Sequence, residues 1–249
     1  MVAPASAATT VHGILPCGRR PSPDIGHRAT VPQDVEGCVK VLVLGGTGRV
    51  GRLVVAQGHA RGHAMTAQSR APAPAGLPDG VATIAADPRD GAALAPALAG
   101  QDAVIMALGT TDRGPTTLFS DATRALLDAM RAAGVRRLVA ITGVGAGETR
   151  GHGGFLYDRV IFPLFTRHRY ADKDRQEALI RASDTDWTIL RPAPFAATPG
   201  QEPFHALTQV GPATRLSRVT PEEVAGVALE CAETGAHLRE AVFFGHGRA

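Results

Sequence analysis

The run Val39-Lys-Val-Leu-Val-Leu-Gly-Gly-Thr-Gly-Arg-Val-Gly51 decides the fold. Its first six residues are valine or leucine apart from one lysine, with no alternation of polar and apolar positions. That is the pattern of a short strand buried on both faces, as in a parallel sheet covered by helices. Glycines end the strand, and over residues 49–60 the apolar positions recur at helical spacing. A buried strand that turns through glycines into a helix opens a βαβ unit.

Working outward, the same alternation repeats. Residues 63–69, 81–86, 102–108, 136–142, 186–191 and 241–244 read as strands, with a proline-rich loop through Asp79 after the second. Residues 92–98, 115–133 and 172–183 read as helices, the 115–133 segment being amphipathic and stopped by Gly134. A last helix runs from Thr220 to about Thr234: threonine caps it, Pro221 takes the first helical position, and Glu222 and Glu223 complement the dipole. The expectation is an α/β fold of Rossmann type, a doubly wound parallel sheet. It forms a single domain over residues 38–249 with a small C-terminal substrate lobe. Residues 1–37 carry prolines at 4, 16, 21, 23 and 32 and no period, and are expected to be a disordered extension. Arg19-Arg20 is followed by Pro-Ser-Pro-Asp where a twin-arginine export signal needs an apolar run.

Composition excludes several classes. Aromatics supply only 4% of 249 residues, so the core is built from Ala, Val, Leu and Ile. The net charge is +3 with no basic cluster among aromatics, so no nucleic-acid partner is expected. No run approaches the ~20 apolar residues of a membrane span. Cys17, Cys38 and Cys231 lack metal-ligand spacing, so no metal site is expected, and a reduced, cytoplasmic compartment is the simplest reading.

The loop after the first strand places Gly45, Gly48 and Gly51 at a G-x-x-G-x-x-G spacing. Gly45 suits a tight turn, Gly48 a close approach by a pyrophosphate, and Gly51 close packing of helix on strand. Phosphates would rest on the N–H groups at the helix start, so Gly45, Thr47, Gly48, Arg49, Val50 and Gly51 are expected to hold a dinucleotide. A glycine triplet says little in a chain with 29 glycines, but this one alone follows a buried strand and opens a helix. The second strand ends Gln68-Ser69-Arg70, without the acid that would bind ribose hydroxyls and repel a 2′-phosphate. Arg70, seconded by Arg49, can pair with that phosphate, so NADP(H) is expected over NAD(H), which stays open. Asp87 either accepts from the adenine amino group or caps the helix that follows. Ala107 and Gly109 are small enough to let the cofactor ribose cross the sheet edge.

Together these residues resemble the atypical short-chain dehydrogenase/reductases, specifically the NAD(P)H-binding, NmrA-like group that includes biliverdin reductase B (flavin reductase). The carriers are GGTGRVG at 45–51, GQDAVIMALGT at 100–110 with PTT at 115–117, and AAGVRRLVAIT at 132–142. DKDRQEALIRAS at 172–183, DWTILRP at 186–192 and LSRVTPEEVA at 216–225 complete them. The resemblance implies that Thr142 faces the nicotinamide, that Lys173 contacts its ribose, and that a turn at 192–195, with Pro194, covers it. Many relatives have serine after the threonine; here it is Gly143. The wider superfamily uses a Tyr-x-x-x-Lys pair as acid. Four residues before Lys173 stands Arg169, and Tyr170 is only three before, about 100° around a helix from the required place. Tyr170 serves only if the helix begins after it.

Without that acid, carbonyl reduction is disfavoured. The expected activity is NADPH-dependent hydride transfer to a planar flavin-like, quinone-like or other conjugated acceptor, whose proton can come from solvent. The apolar stretch 155–165, rimmed by 166–169 with His168, offers a shelf for such an acceptor; packing on the domain's own core is the alternative. Two other readings stand beside it: an NmrA-like protein that senses the nucleotide without turnover, and an epimerase or ketoreductase using Thr142. Oligomeric state is left open.

Overall fold

The computed structural model describes residues 37–71, 76–112, 114–146, 167–211 and 213–248. β1 (Lys40–Leu44) pairs in parallel with β2 (Ala64–Ser69) on one side and β4 (Ala103–Met106) on the other. Residues 41–44 of β1 have no exposed surface, as their uninterrupted apolar run requires. Val41 and Val43 pack into the layer that contains α1 (Gly51–Ala60) and α5 (Pro221–Thr234). Leu42 and Leu44 face the layer of α2 (Gly91–Leu98) and α3 (Leu118–Ala133). Helices thus cover both faces of the sheet.

β3 (Ala82–Ala85), β5 (Arg137–Ile141), β6 (Asp186–Pro192), β7 (Phe204–Leu207) and β9 (Glu240–Arg248) complete the path β3-β2-β1-β4-β5-β6-β9-β7, with β8 (Arg215–Arg218) also on β9. Strand order reverses between β1 and β4, so their following loops diverge and open a crevice at the carboxyl ends of the strands. α4 (Arg167–Ala182) packs beside α3 on the way into β6.

Local sequence accounts for most ends. Thr220 and Glu223 form a capping box on α5 and Asp90 caps α2 by accepting from the Ala93 amide. Gly134 closes α3 in the left-handed region at φ 73°.

Three expectations need correction. α4 begins at Arg167, five residues before the predicted start. The stretch between β6 and α5 contributes two antiparallel strands, β7 and β8, and β9 runs to Arg248 instead of ending at Phe244. These strands form the C-terminal lobe, and β8 lies so close to β9 that a Cβ at Gly247 would overlap the Arg215 carbonyl. The reduced reading of the cysteines fails at Cys38, which is disulfide-bonded, while Cys231 is free and buried. Among the described residues no helix is long and apolar enough to cross a membrane, and no group of His, Cys, Asp and Glu could hold a metal. The proposed extension before residue 37 and the 155–165 shelf lie outside the described residues.

Candidate functional site

A cavity of about 1140 Å³ opens at the carboxyl ends of β1, β2, β4 and β5, across the point where strand order reverses. It brings together Gly45, Thr47, Gly48, Arg49, Val50, Arg70, Asp87, Ala107, Gly109, Thr142, Tyr170 and Lys173. Gly51 and Pro194 do not line it. Gly51 sits beneath the loop, where a Cβ would overlap the Gly45 carbonyl, so its role is packing. The Pro194 carbonyl accepts from the Val219 amide, and its neighbours Pro192 and Phe195 reach the cavity instead.

The glycine loop is shaped by what surrounds it. Gly45 has φ 76°, and a Cβ there would stand 2.9 Å from the Ala107 carbonyl oxygen. Gln68, visible in the sequence only as a residue that is not acidic, holds the loop. Its Oε1 accepts from the Gly45 amide at 2.8 Å, its carbonyl from Gly46 at 3.0 Å, and its Nε2 donates to the Ala86 carbonyl at 2.6 Å. The start of α1 is left uncompensated: no side chain caps it and no acid occupies its first turn. The amides of Thr47, Arg49 and Val50 have no acceptor among the described residues. Oriented donors at an uncapped helix start are the complement of a diphosphate, and the residues present fit that group.

One end of the cavity is basic. Arg49, Arg70 and Arg89 all line it, with Arg49 standing 5.4 Å from the Phe195 ring centroid. Asp87 is not the helix cap, a place Asp90 takes. Its carboxylate instead accepts from the Arg89 amide and guanidinium, which together hold its pKa down at about 2. Arg89 escaped the sequence reading because nothing in Asp87-Pro-Arg89 marks a surface arginine as facing the crevice.

The other end is buried and polar, and α4 builds it. Asp172, Lys173, Gln176 and Glu177 are all buried on its inward side. Asp172 accepts from the Phe119 amide at 2.8 Å and the Ser120 hydroxyl at 2.5 Å. It thereby caps α3, whose own Thr117 makes no side-chain cap. Next to it, the Lys173 ammonium donates to the Ile141 carbonyl at 3.2 Å and lies 4.5 Å from the Phe119 ring centroid. Burial pushes its pKa down to about 8 despite the opposing charge of Glu177. One turn on, Glu177 accepts from the Thr142 hydroxyl at 2.7 Å and from Arg191 at 3.1 and 2.6 Å.

α4 begins ahead of Tyr170, so Tyr170 keeps its three-residue helical offset from Lys173, and the condition for a relocated tyrosine acid is not met. Tyr170 nevertheless lies against the glycine after Thr142, whose φ of 146° already disfavours a side chain. A Cβ at Gly143 would stand 2.7 Å from the Tyr170 hydroxyl, which occupies the space a serine would need. Of the anticipated rim, Arg169 reaches the cavity and donates to the Thr110 carbonyl at 3.0 Å. His168 does not line the cavity.

A family model described as NAD(P)H-binding matches residues 45–234, from the first loop glycine to the end of α5. The chain belongs to the NAD(P)H-binding family. Solved structures place this family member among Rossmann folds. A Burkholderia pseudomallei protein, named as an exported protein by proposal, is 28% identical, with a TM-score of 0.65 over 84% of this chain and 100% of the other. The oxidoreductase YlbE of Lactococcus lactis is 18% identical, with a TM-score of 0.69 over 85% and 92%. A Streptococcus pneumoniae protein whose name proposes an NADH-flavin reductase is 20% identical, with a TM-score of 0.65 over 84% and 100%. A nicotinamide nucleotide is therefore the cofactor class of this chain.

Proposed function

We propose that this NAD(P)H-binding protein is an oxidoreductase that uses NADPH to reduce a planar conjugated acceptor of the flavin or quinone class. Bound at the cavity, the reduced nicotinamide supplies the hydride. The residues of the chain then hold and orient: the loop amides of Arg49 and Val50 the diphosphate, Arg70 the 2′-phosphate, and Lys173 the nicotinamide ribose. NADPH over NADH is supported by the arginines at the basic end and by the absence of an acid at the end of β2.

One observation carries the choice of acceptor. The Thr142 hydroxyl, at the end of β5 in the cavity, already donates to Glu177, which Arg191 locks in place, and Tyr170 is out of the lysine-paired position of a tyrosine acid. A ketone needs a proton delivered as hydride arrives. A flavin or quinone takes its proton from water, and so tolerates a site whose polar groups bind one another. The flavin-reductase name of the pneumococcal structure agrees with this reading.

The test is oxidation of NADPH, followed by nicotinamide absorbance, against FMN, riboflavin, quinones and simple ketones. Turnover of flavins or quinones and not ketones is expected. Ketone turnover that disappears in Thr142→Val would overturn the reading. Tight NADPH binding without oxidation of any acceptor would replace it with a nucleotide-sensing role.

A further inference from the structure

Arg89 stands on the loop between β3 and α2, at the mouth of the cavity, with about half of its side chain exposed (54%). It is held to Asp87 three ways. The Arg89 amide donates to Oδ1 at 2.9 Å, Nε donates to the same oxygen at 2.9 Å, and Nη2 donates to Oδ2 at 2.6 Å. Buried Pro88 stiffens the turn between them, and the Asp90 amide closes it on the Asp87 carbonyl. Both carboxylate oxygens of Asp87 are thus given to a single guanidinium, a bidentate fork that holds its geometry far better than a lysine contact does. The other acid whose charge Arg89 feels is Asp121 on α3, which Arg124 and Thr117 hold.

Asp87 and Arg70 line the same end of the cavity, and the charge of Arg70 adds a little to the lowering of the Asp87 pKa. An unpaired carboxylate there would draw Arg70 to itself and repel a dianionic monoester. Dinucleotide sites refuse a 2′-phosphate by a carboxylate at the end of the second strand; an unpaired Asp87, one strand over, would oppose the phosphate by the same repulsion. We propose that Arg89 is a cofactor-specificity residue: by neutralising Asp87 it leaves Arg70 free to hold the 2′-phosphate of NADPH. This rests on the NADPH reading above and adds to it a residue that acts through another. Arg89 positions charge without touching the phosphate, so it should matter only while Asp87 is ionised.

Calorimetric titration of NADPH and NADH into the wild type, Arg89→Ala and the double variant Asp87→Asn/Arg89→Ala tests it, with circular dichroism showing each folded. In Arg89→Ala, NADPH affinity should fall about tenfold while NADH affinity stays within about twofold, the scale of one uncompensated charge near a surface site. Asp87→Asn in that background should restore most of the loss. An unchanged NADPH-to-NADH ratio in Arg89→Ala overturns the proposal. So does a loss that Asp87→Asn fails to restore, which would make Arg89 a direct phosphate ligand. Wild-type protein that binds both nucleotides equally would fail the NADPH reading itself, before any variant is compared.

Discussion

Glu177 is the residue on which the buried, polar end of the cavity depends. It and Arg191 are both nearly inaccessible, 4% and 2% exposed, and each carboxylate oxygen is matched to a guanidinium nitrogen. Such a pair contributes little net stability, because desolvation offsets attraction, yet breaking it strands a buried charge at a cost of about 3–5 kcal/mol. Glu177→Leu alone should therefore lower the urea midpoint sharply, and Glu177→Leu/Arg191→Met should recover much of the loss. A double variant no better than the single one would mean that the pair is not a closed unit. Lys173 sets a pH dependence of the opposite kind to a salt-bridged lysine. Its ordinary value of 10.5 falls to about 8 in the fold, through burial. Between these values the unfolded chain binds a proton that the folded chain has given up, so stability rises with pH across that window and is flat below it. Urea midpoints at about pH 7.5 and about pH 10 should differ less in Lys173→Met than in the wild type. Gly143 is set by backbone and neighbour together: its φ of 146° disfavours any side chain, and a Cβ would also press on the Tyr170 hydroxyl.

Among the elements, α4 departs furthest from the usual logic of an amphipathic helix. Its inward positions Asp172, Lys173, Gln176 and Glu177 are polar, and Ile180, with half-buried Leu179 beside it, continues the core at its far end. The missed first five residues, Arg167-His-Arg-Tyr-Ala171, are mostly polar too and offer no apolar spacing to mark a helix start. β7 and β8 were hidden for a different reason. Each is four residues long and pairs only with β9 within the sheet, so no local alternation announces it. α5 is the contrary case, because every signal at its start is local. Thr220→Ala removes the acceptor for the Glu223 amide and the donor to its carboxylate. A loss of about 1 kcal/mol is expected, read as a lower melting temperature, with NADPH affinity unchanged because Thr220 does not line the cavity.

Over the whole molecule, the cavity is a product of strand order. The loops after β1 and β4 part because the chain winds outward in both directions from that pair. Into the gap come arginines from three separate loops at one end and the polar face of α4 at the other. A nucleotide spanning both ends binds only the folded state. NADPH at about a hundred times its dissociation constant should therefore stabilise the protein by about 2.7 kcal/mol. Differential scanning fluorimetry checks this, and NADH at the same concentration should raise the melting temperature less. Equal shifts would count against selection of the 2′-phosphate.

By itself the sequence determined the βαβ repeat, the glycine loop and the Thr220 cap, because each follows from short-range periodicity or from backbone freedom at named residues. It also marked Arg70, Asp87, Thr142, Tyr170 and Lys173, which the fold brings to one cavity. Only the tertiary structure decided their partners. That Gln68 clamps the loop, that Asp172 caps a different helix, that Arg89 neutralises Asp87 and that Thr142 is spent on Glu177 are all matters of direction in space. Residues as far apart as Phe119 and Asp172 meet there because helix packing brings them together, and no local rule of the chain encodes which way a surface arginine or a buried carboxylate will point.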